Sequence, residues 1–161
     1  KAFREGTYFL PQVLVAARAM KTSMGILEPL LSAASYKAKG RILLGTIKGD
    51  IHDIGKNLVA IMLRGGGYEV IDLGVGCSAA QFIAGYHKYQ PDIVGLSALL
   101  TTTMVYMKTV IDSFKERGII VPFIVGGAPV TRSFAGEIGA AGHGRNATEA
   151  VDLVRSIMPA G

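Results

Sequence analysis

The stretch ILLGTIKGDIHDIGKNLVAIMLR, residues 42–64, joins an apolar run to an amphipathic segment through a polar loop. The run at 42–46 has the length of a strand, whereas residues 55–64 place apolar side chains at the three- and four-residue spacing of a helix. Because the run is apolar at consecutive positions, we expect this strand to be buried on both faces. Such a strand belongs to a parallel sheet that helices cover on both sides.

The same alternation of apolar runs and amphipathic segments continues through the rest of the chain. Strands are predicted at 42–46, 70–73, 93–97, 123–125 and near Gly142, and helices at 55–64, 78–89, 104–114, 131–138 and 150–158. No hairpin signal separates these segments. Five such units predict an α/β fold with a doubly wound, five-stranded parallel sheet of the Rossmann-like or flavodoxin-like kind.

The first part of the chain has a different pattern. Apolar residues recur every three or four positions between Leu10 and Leu31, which predicts helices with one apolar face. Helices of this kind need another surface to pack on. The small and polar residues 32–40 predict a linker, so we divide the chain into a helical part, 1–36, and an α/β domain, 37–161.

Composition excludes several classes of protein. The chain has 161 residues, of which 50% are hydrophobic and 18% charged, so it is expected to fold rather than remain disordered. No apolar run reaches the roughly 18 residues of a membrane span, and no signal peptide is recognisable. Cys77 is the single cysteine and cannot form an internal disulfide, which favours a cytoplasmic location.

The chain is basic but shows no signature of nucleic-acid binding. Its formal net charge is +5, with a sequence pI of about 9.4. The basic residues are spread along the sequence, and neither zinc-finger spacing nor an aromatic RNA-binding motif occurs. We therefore expect neither nucleic acid nor a membrane among the partners.

Glycine accounts for 21 of the 161 residues, which is nearly double the share of ~7% in average sequences. Four glycines fall in the loops at 49–57 and 126–129, which follow predicted strands, as does the loop at 97–103. Such loops meet at one edge of a parallel sheet, where ligands bind. None of these loops contains a dinucleotide G-x-G-x-x-G turn, a Walker lysine loop or the G-x-S-x-G elbow of a hydrolase.

The loop at 49–57 contains Asp50-x-His52-x-x-Gly55. An aspartate that accepts a hydrogen bond from one ring nitrogen leaves the other nitrogen free for a metal. Gly55 permits a large flat ligand to approach the backbone. No second histidine or cysteine lies near, so this pattern indicates a metal whose remaining positions a macrocycle fills. An ordinary surface histidine is the alternative interpretation.

GDIHDIGKN at 49–57, SALLTTT at 97–103 and GGAPV at 126–130 together resemble the cobalamin-binding domain of corrinoid methyl-transfer proteins. That family includes cobalamin-dependent methionine synthase and the corrinoid proteins of methanol and methylamine metabolism. YFLPQV at 8–13 resembles the end of the helical cap that precedes the domain in this family. The resemblance covers nearly the whole chain and implies a cobalamin cofactor, with 1–36 as the C-terminal part of a cap that begins before residue 1.

The resemblance also implies roles for individual residues. His52 would be the lower axial ligand of cobalt, in place of the cofactor's own dimethylbenzimidazole. Asp50 would bond to His52, and Thr103 would extend this relay, at a position where methionine synthase has serine. The implied lining of the pocket for the displaced nucleotide tail comprises Ser97, Leu99, Thr101, Gly126 and Gly127.

The implied cap residues Phe3, Leu10 and Val13 would cover the upper face of the corrin, although all three also fit an ordinary helix core. His143, in Gly142-His143-Gly144, lies near the end of the last predicted strand, where it could touch the nucleotide tail or serve only the structure. Cys77 is interpreted as an inert small residue.

The function implied by the resemblance is methyl transfer: the chain would carry a methyl group on cobalt between a donor and a thiol acceptor. The partners would be methyl-donor and methyl-acceptor methyltransferase domains or subunits, together with a reductive activation partner. No donor or acceptor module fits within 161 residues, so we expect a carrier component rather than a complete enzyme. The cap would have to move during transfer, with 32–40 as its hinge.

Three alternatives remain at the level of sequence. They are a cobalamin-dependent sensor or regulator, the cobalamin domain of a radical mutase, and a flavodoxin-like module that binds another ligand. A regulator would be joined to a DNA-binding segment, whereas a mutase domain usually has no helical cap in front of it.

Overall fold

A parallel five-stranded sheet forms the centre of the computed structural model, which describes residues 38–158 together with the helical residues 11–12, 15–16, 18–19 and 22–23. The strands are β1 (Arg41–Thr46), β2 (Glu69–Asp72), β3 (Ile93–Ser97), β4 (Phe123–Gly126) and β5 (Gly142–Gly144). Their order across the sheet is β2-β1-β3-β4-β5, and every neighbouring pair is parallel. This is the flavodoxin-like order of a doubly wound sheet, so the predicted fold class is confirmed.

Six helices of the described region follow or connect these strands. They are α1 (Ile54–Gly65), α2 (Ala79–Tyr89), α3 (Thr101–Met104), α4 (Tyr106–Lys115), α5 (Arg132–Ile138) and α6 (Ala147–Ile157). None of the helices in the described part of the chain is long and apolar enough to cross a membrane.

The sheet separates two apolar cores. On one face α1 and α6 pack together over a core that includes Ile42, Leu63 and Val154. On the other face α2, α4 and α5 cover a larger core, in which the rings of Phe114 and Phe123 meet edge to face with centroids 5.1 Å apart. Because helices cover both faces, the central strands β1, β3 and β4 are apolar at nearly all positions, in agreement with the expectation from sequence.

The predicted helix at 104–114 is interrupted. Met104 ends α3 and Met107 lies in α4, with Val105 between the two helices. Val105 keeps right-handed helical dihedrals, φ −60° and ψ −24°, so the apolar face continues across the break. The three threonines at 101–103 and Val105 are β-branched, which weakens helix formation in this stretch.

The end of the predicted linker is part of the folded domain. The N–H of Lys39 donates to the carbonyl of Gly67 at 3.0 Å, and the N–H of Glu69 donates to the carbonyl of Gly40 at 2.9 Å. A hinge in the predicted linker would therefore have to lie before residue 39. The division at residues 36 and 37 stays a prediction, and Phe3, Leu10 and Val13 lie outside the described residues.

Many glycines allow close packing rather than ligand approach. A Cβ atom on Gly45 of β1 would lie 2.6 Å from the Phe82 ring, and one on Gly144 of β5 would lie 2.9 Å from the backbone of Ala150. The sequence pattern places the glycine excess in the loops after the strands. The structure adds the sheet itself, where missing side chains let helices pack closely.

Gly127 joins two loops at the carboxyl edge of the sheet. Its φ is +135°, and a Cβ atom there would lie 1.7 Å from the carbonyl oxygen of Ala98, in the loop after β3. The loops after β3 and β4 are therefore in direct contact, and any side chain at position 127 would separate them.

Gly127→Ala is expected to lower the free energy of unfolding by more than about 2 kcal/mol, because it combines a strained φ with a backbone clash. Gly136→Ala is the matched control. Gly136 lies in α5, and the space that a methyl group would occupy there is open, so alanine should raise stability by about 0.5–1 kcal/mol. Urea unfolding followed by circular dichroism measures both, and equal effects would contradict the role assigned to Gly127.

Candidate functional site

The loop after β1 turns sharply before it reaches α1. The N–H of Asp50 donates to the carbonyl of Ile47 at 3.1 Å, which closes a turn through Lys48 and Gly49. Gly49 has a φ of +85°, a conformation that glycine adopts without strain. The turn directs Asp50 back into the protein and leaves His52 at the surface of the sheet edge.

Asp50 is fully buried and collects hydrogen bonds from two loops. Its Oδ1 accepts the N–H of His52 at 3.0 Å and lies 2.8 Å from His52 Nδ1. Its Oδ2 accepts the N–H groups of Leu99, at 2.7 Å, and Leu100, at 3.3 Å, and the hydroxyl of Thr103 at 2.8 Å. The structure thus brings together Asp50, His52 and Thr103.

These donors determine the charge of Asp50. Burial by itself raises the pKa of a carboxyl group, but the hydrogen bonds from His52, Leu99 and Thr103 outweigh it and hold the pKa of Asp50 well below its usual range. An ionised carboxylate can only accept hydrogen bonds, so the proton between Asp50 and His52 belongs to Nδ1. In a neutral imidazole, Nε2 therefore carries the free lone pair.

The imidazole of His52 is open to a ligand. Its side chain is 47% exposed, and its Nε2 forms no hydrogen bond with the described residues. Exposed apolar side chains lie on the same loop (Ile51), at the first residue of α1 (Ile54) and on the loop after β3 (Leu99 and Leu100). A single nitrogen donor on an edge that also exposes apolar side chains fits a flat macrocyclic metal complex, which needs one protein ligand and a non-polar surface.

A metal ion without a macrocycle finds no comparable site in the described part of the chain, because no group of three or more histidine, cysteine, aspartate or glutamate residues is close enough there to hold one.

The other residues implied by the resemblance lie along the same edge. Ser97 ends β3 next to Gly126 of β4, and its carbonyl accepts the N–H of Ile47 at 3.1 Å. Thr101 is exposed at the start of α3, and Gly55 lies in the first turn of α1 with open space around it. Their contact with a cofactor stays a prediction.

Two main-chain donors were not predicted. The N–H groups of Leu99 and Leu100 bind Asp50, but main-chain donors carry no signal in a sequence. Thr46 was also missed: its hydroxyl donates to the carbonyl of His52 at 3.0 Å. The sequence did contain a signal for Thr46, because it is the polar residue that ends an otherwise apolar strand.

An ion pair between a buried lysine and an exposed aspartate fixes the start of α1. Lys56 is 4% exposed and pairs with Asp72 at the end of β2, and its Nζ also donates to Asn57 Oδ1 at 2.9 Å. The Asn57 amide in turn donates to Asp53 Oδ2 at 2.8 Å. A lysine in the first turn opposes the helix dipole, so Asp72 provides the negative charge that makes it tolerable.

A cleft lies beside the loops after β4 and β5, apart from the Asp50–His52 pair. It encloses about 600 Å³ and is lined by Gly127, Ala128, Val130, Thr131, Arg132, His143 and Arg145. His143 Nε2 is buried and has no hydrogen-bond partner among the described residues. Burial lowers the pKa of His143, despite the opposing charge of Glu149.

Cys77 is buried beside the end of β1, where its N–H donates to the carbonyl of Thr46 at 2.8 Å. Its Sγ lies 3.4 Å from the carbonyl of Leu73, and burial raises the pKa of its thiol. A protonated, inaccessible thiol is unreactive, in agreement with the interpretation from sequence.

The fold and the site together define a class: a doubly wound domain with an exposed imidazole, backed by a buried carboxylate, at the carboxyl edge of its parallel sheet. The B12 binding domain family matches residues 40–152, and a second B12 binding domain family matches residues 1–28. The chain therefore belongs to the B12-binding corrinoid proteins, and the predicted cofactor class, cobalamin or another corrinoid, is confirmed.

The relatives that the chain resembles over most of its length are corrinoid proteins. The chain is 44% identical to a corrinoid protein of Desulfitobacterium hafniense, over 98% of this chain and 75% of the relative. It is 45% identical to trimethylamine corrinoid protein 2 of Methanosarcina acetivorans, over 97% of this chain and 74% of the relative. The structure is similar to the methanol:cobalamin methyltransferase complex MtaBC from Methanosarcina barkeri, with a TM-score of 0.89 and 36% identity over 99% of this chain and 62% of that one.

Asp50→Asn is expected to lower the free energy of unfolding by about 2–3 kcal/mol, because an amide nitrogen would face donors that now bind a charged oxygen. Asp112→Asn is the matched control: Asp112 pairs with Lys108 on the surface of α4, and its loss should cost less than about 0.5 kcal/mol. Urea unfolding at neutral pH measures both. Similar losses of unfolding free energy in the two variants would show that the hydrogen bonds to Asp50 do not stabilise the loops at this edge.

The lowered pKa of His143 predicts a pH dependence of stability. As the pH falls below the ordinary value of 6.5, the unfolded chain takes up a proton at this position before the folded chain does, so stability decreases. His143→Gln should flatten the fall in stability between about pH 7 and pH 5. His87→Gln, at an exposed position of α2, should leave the slope unchanged, and an unchanged slope in His143→Gln would refute the assignment.

Proposed function

We propose that this chain carries a methyl group on the cobalt of a bound corrinoid, between a methyl donor and a thiol acceptor, with His52 as the lower axial ligand. One observation carries the proposal: Asp50 lies 2.8 Å from Nδ1 of His52, while the exposed imidazole leaves Nε2 free on an edge that also carries exposed apolar side chains. The corrinoid supplies the metal chemistry, and the protein supplies ligation, orientation and access.

Asp50 acts on the electronic character of His52. A carboxylate that accepts the Nδ1–H bond makes the imidazole more basic, which strengthens Nε2 as a metal ligand. Thr103 and the N–H groups of Leu99 and Leu100 keep that carboxylate ionised and fixed in position. The threonine hydroxyl thus performs the task that the resemblance assigns to a serine, since both residues donate through the same kind of oxygen.

The tail of the cofactor is proposed to enter the edge between β3 and β4. This is supported by the position of the predicted lining, which borders the ends of those two strands: Ser97, Leu99, Thr101, Gly126 and Gly127. Gly55 is proposed to lie near the ring. Phe3, Leu10 and Val13 are proposed to cover its upper face, within a cap formed by residues 1–36, and the match of a B12 binding family to residues 1–28 supports that division.

Methyltransferase subunits are the proposed partners, one that delivers the methyl group and one that removes it, with a reductase for reactivation. The similarity to a chain of a methanol:cobalamin methyltransferase complex and to a trimethylamine corrinoid protein supports this choice. The same similarities favour methanol or a methylamine as donor over a role in methionine biosynthesis. We place this activity in the cytoplasm, where the free thiol of Cys77 would stay reduced.

Hydroxocobalamin is expected to remain bound to the chain after desalting, giving a coloured protein. His52→Ala should shift the visible spectrum toward the form without histidine coordination, because its nitrogen donor is lost. His87→Ala, at an exposed position of α2, is the control and should keep the parent spectrum.

A colourless protein after desalting would refute corrinoid binding, and an unchanged spectrum in His52→Ala would remove His52 as ligand.

The carrier role is tested by methyl transfer to and from the same protein, loaded with corrinoid and reduced. With the methyltransferase of a methanol or methylamine system, it should acquire radioactive label from the labelled donor and release it to a thiol. Failure with every donor of these classes would refute methyl carriage.

A further inference from the structure

The buried polar residues of the described chain lie around one loop. They are Thr46, which immediately precedes the loop at 47–57, and Asp50 and Lys56, which lie within that range. Burial of a polar group is unfavourable unless its hydrogen bonds are satisfied, so a cluster of this kind points to a constraint on the loop. Asp50 bonds to the imidazole of His52, and Lys56 forms an ion pair at the start of α1. The reason for the burial of the Thr46 hydroxyl is not yet explained by these interactions.

Thr46 has a hydroxyl that the sheet does not need. It ends β1, is fully buried, and its main chain is already satisfied: its N–H donates to the Gly74 carbonyl at 3.0 Å, and its carbonyl accepts the N–H of Cys77 at 2.8 Å. The hydroxyl therefore serves another element. It donates to the main-chain carbonyl of His52 at 3.0 Å.

That carbonyl has no helical partner. The first bond of α1 runs from the N–H of Asn57 to the carbonyl of Asp53, at 2.7 Å, so His52 lies just outside the helix. Among the described residues, the Thr46 hydroxyl is the donor for this oxygen. Without it, the carbonyl would keep no fixed direction at the point where the loop enters the helix.

His52 is thus held at three atoms. Its N–H and its Nδ1 bind Asp50 Oδ1, at 3.0 Å and 2.8 Å, while its carbonyl binds Thr46. The side-chain bond sets the rotation of the ring, and the two main-chain bonds set the plane from which the ring projects. A rotation of the main chain at residue 52 would move Nε2, even with the Asp50 bond intact.

We propose that Thr46 is a positioning residue for the cobalt ligand, whose hydroxyl fixes the main chain of His52 so that Nε2 stands at a constant place on the sheet edge. The inference rests on the proposed bond between His52 and cobalt. Threonine suits this position because its branched Cβ restricts χ1, which keeps the hydroxyl aimed at the carbonyl.

The test compares Thr46→Val, which keeps the shape but lacks the donor, with Thr46→Ser, which keeps the donor. Val154→Ala, on the buried face of α6 in the core between that helix and the sheet, is the control for a loss of stability alone. Each chain is labelled with ¹⁵N-histidine, loaded with hydroxocobalamin, desalted and reduced to the cobalt(II) state. Electron paramagnetic resonance then measures the fraction of cobalt with the two-line splitting of a ¹⁵N ligand.

The parent protein, Thr46→Ser and Val154→Ala should all show histidine coordination in most of the bound corrinoid. In Thr46→Val that fraction should fall about fivefold, as expected when one buried hydrogen bond is removed, while corrinoid remains bound. Full histidine coordination in Thr46→Val would overturn the proposal, and so would an equal loss in Val154→Ala.

Failures of the two proposals are distinguishable. Bound corrinoid without a histidine signal in the parent protein would overturn the His52–cobalt bond of the proposed function, and the role of Thr46 with it. A parent signal that survives in Thr46→Val would overturn the role of Thr46 alone. If Thr46→Val does not fold, Thr46→Cys, a weaker donor of similar size, takes its place with the same expected loss.

Discussion

A buried negative charge organises the functional edge of this protein. The carboxylate of Asp50 is removed from water, which is unfavourable unless donors replace the lost hydration. Those donors come from two separate segments: His52 on its own loop, and Leu99, Leu100 and Thr103 after β3. The charge is therefore stable only when β1 and β3 are side by side, so the sheet and the candidate site form together.

Much of this arrangement is encoded locally. The strands were predictable because a parallel sheet covered on both faces needs consecutive apolar residues, and the Asp50–His52 pair was predictable because two residues of separation place a carboxylate within reach of an imidazole. The break at Val105 was not, because its backbone remains right-handed and the apolar spacing continues through it.

Other features depend on topology and could not be obtained from local patterns. Lys56 and Asp72 pair because β2 lies beside β1, which the sequence order alone does not specify. The same holds for Gly127: a side chain at this position would clash with the main chain of Ala98, which lies in the loop after a different strand. For the first 37 residues, the apolar spacing is the evidence for helices, and the structure describes eight helical positions there.

The one-sided exposure of His52 has a consequence for the protein before it meets its cofactor. Stable protein sites for zinc and similar ions use three or four donors, and the described residues bring no three histidine, cysteine or carboxylate donors together around His52. A free ion bound through His52 alone would gain one bond and dissociate readily. Under the proposed ligation, a metal whose other positions a macrocycle fills would need only the one nitrogen that His52 supplies, so a small number of donors would favour a complete cofactor over a bare ion.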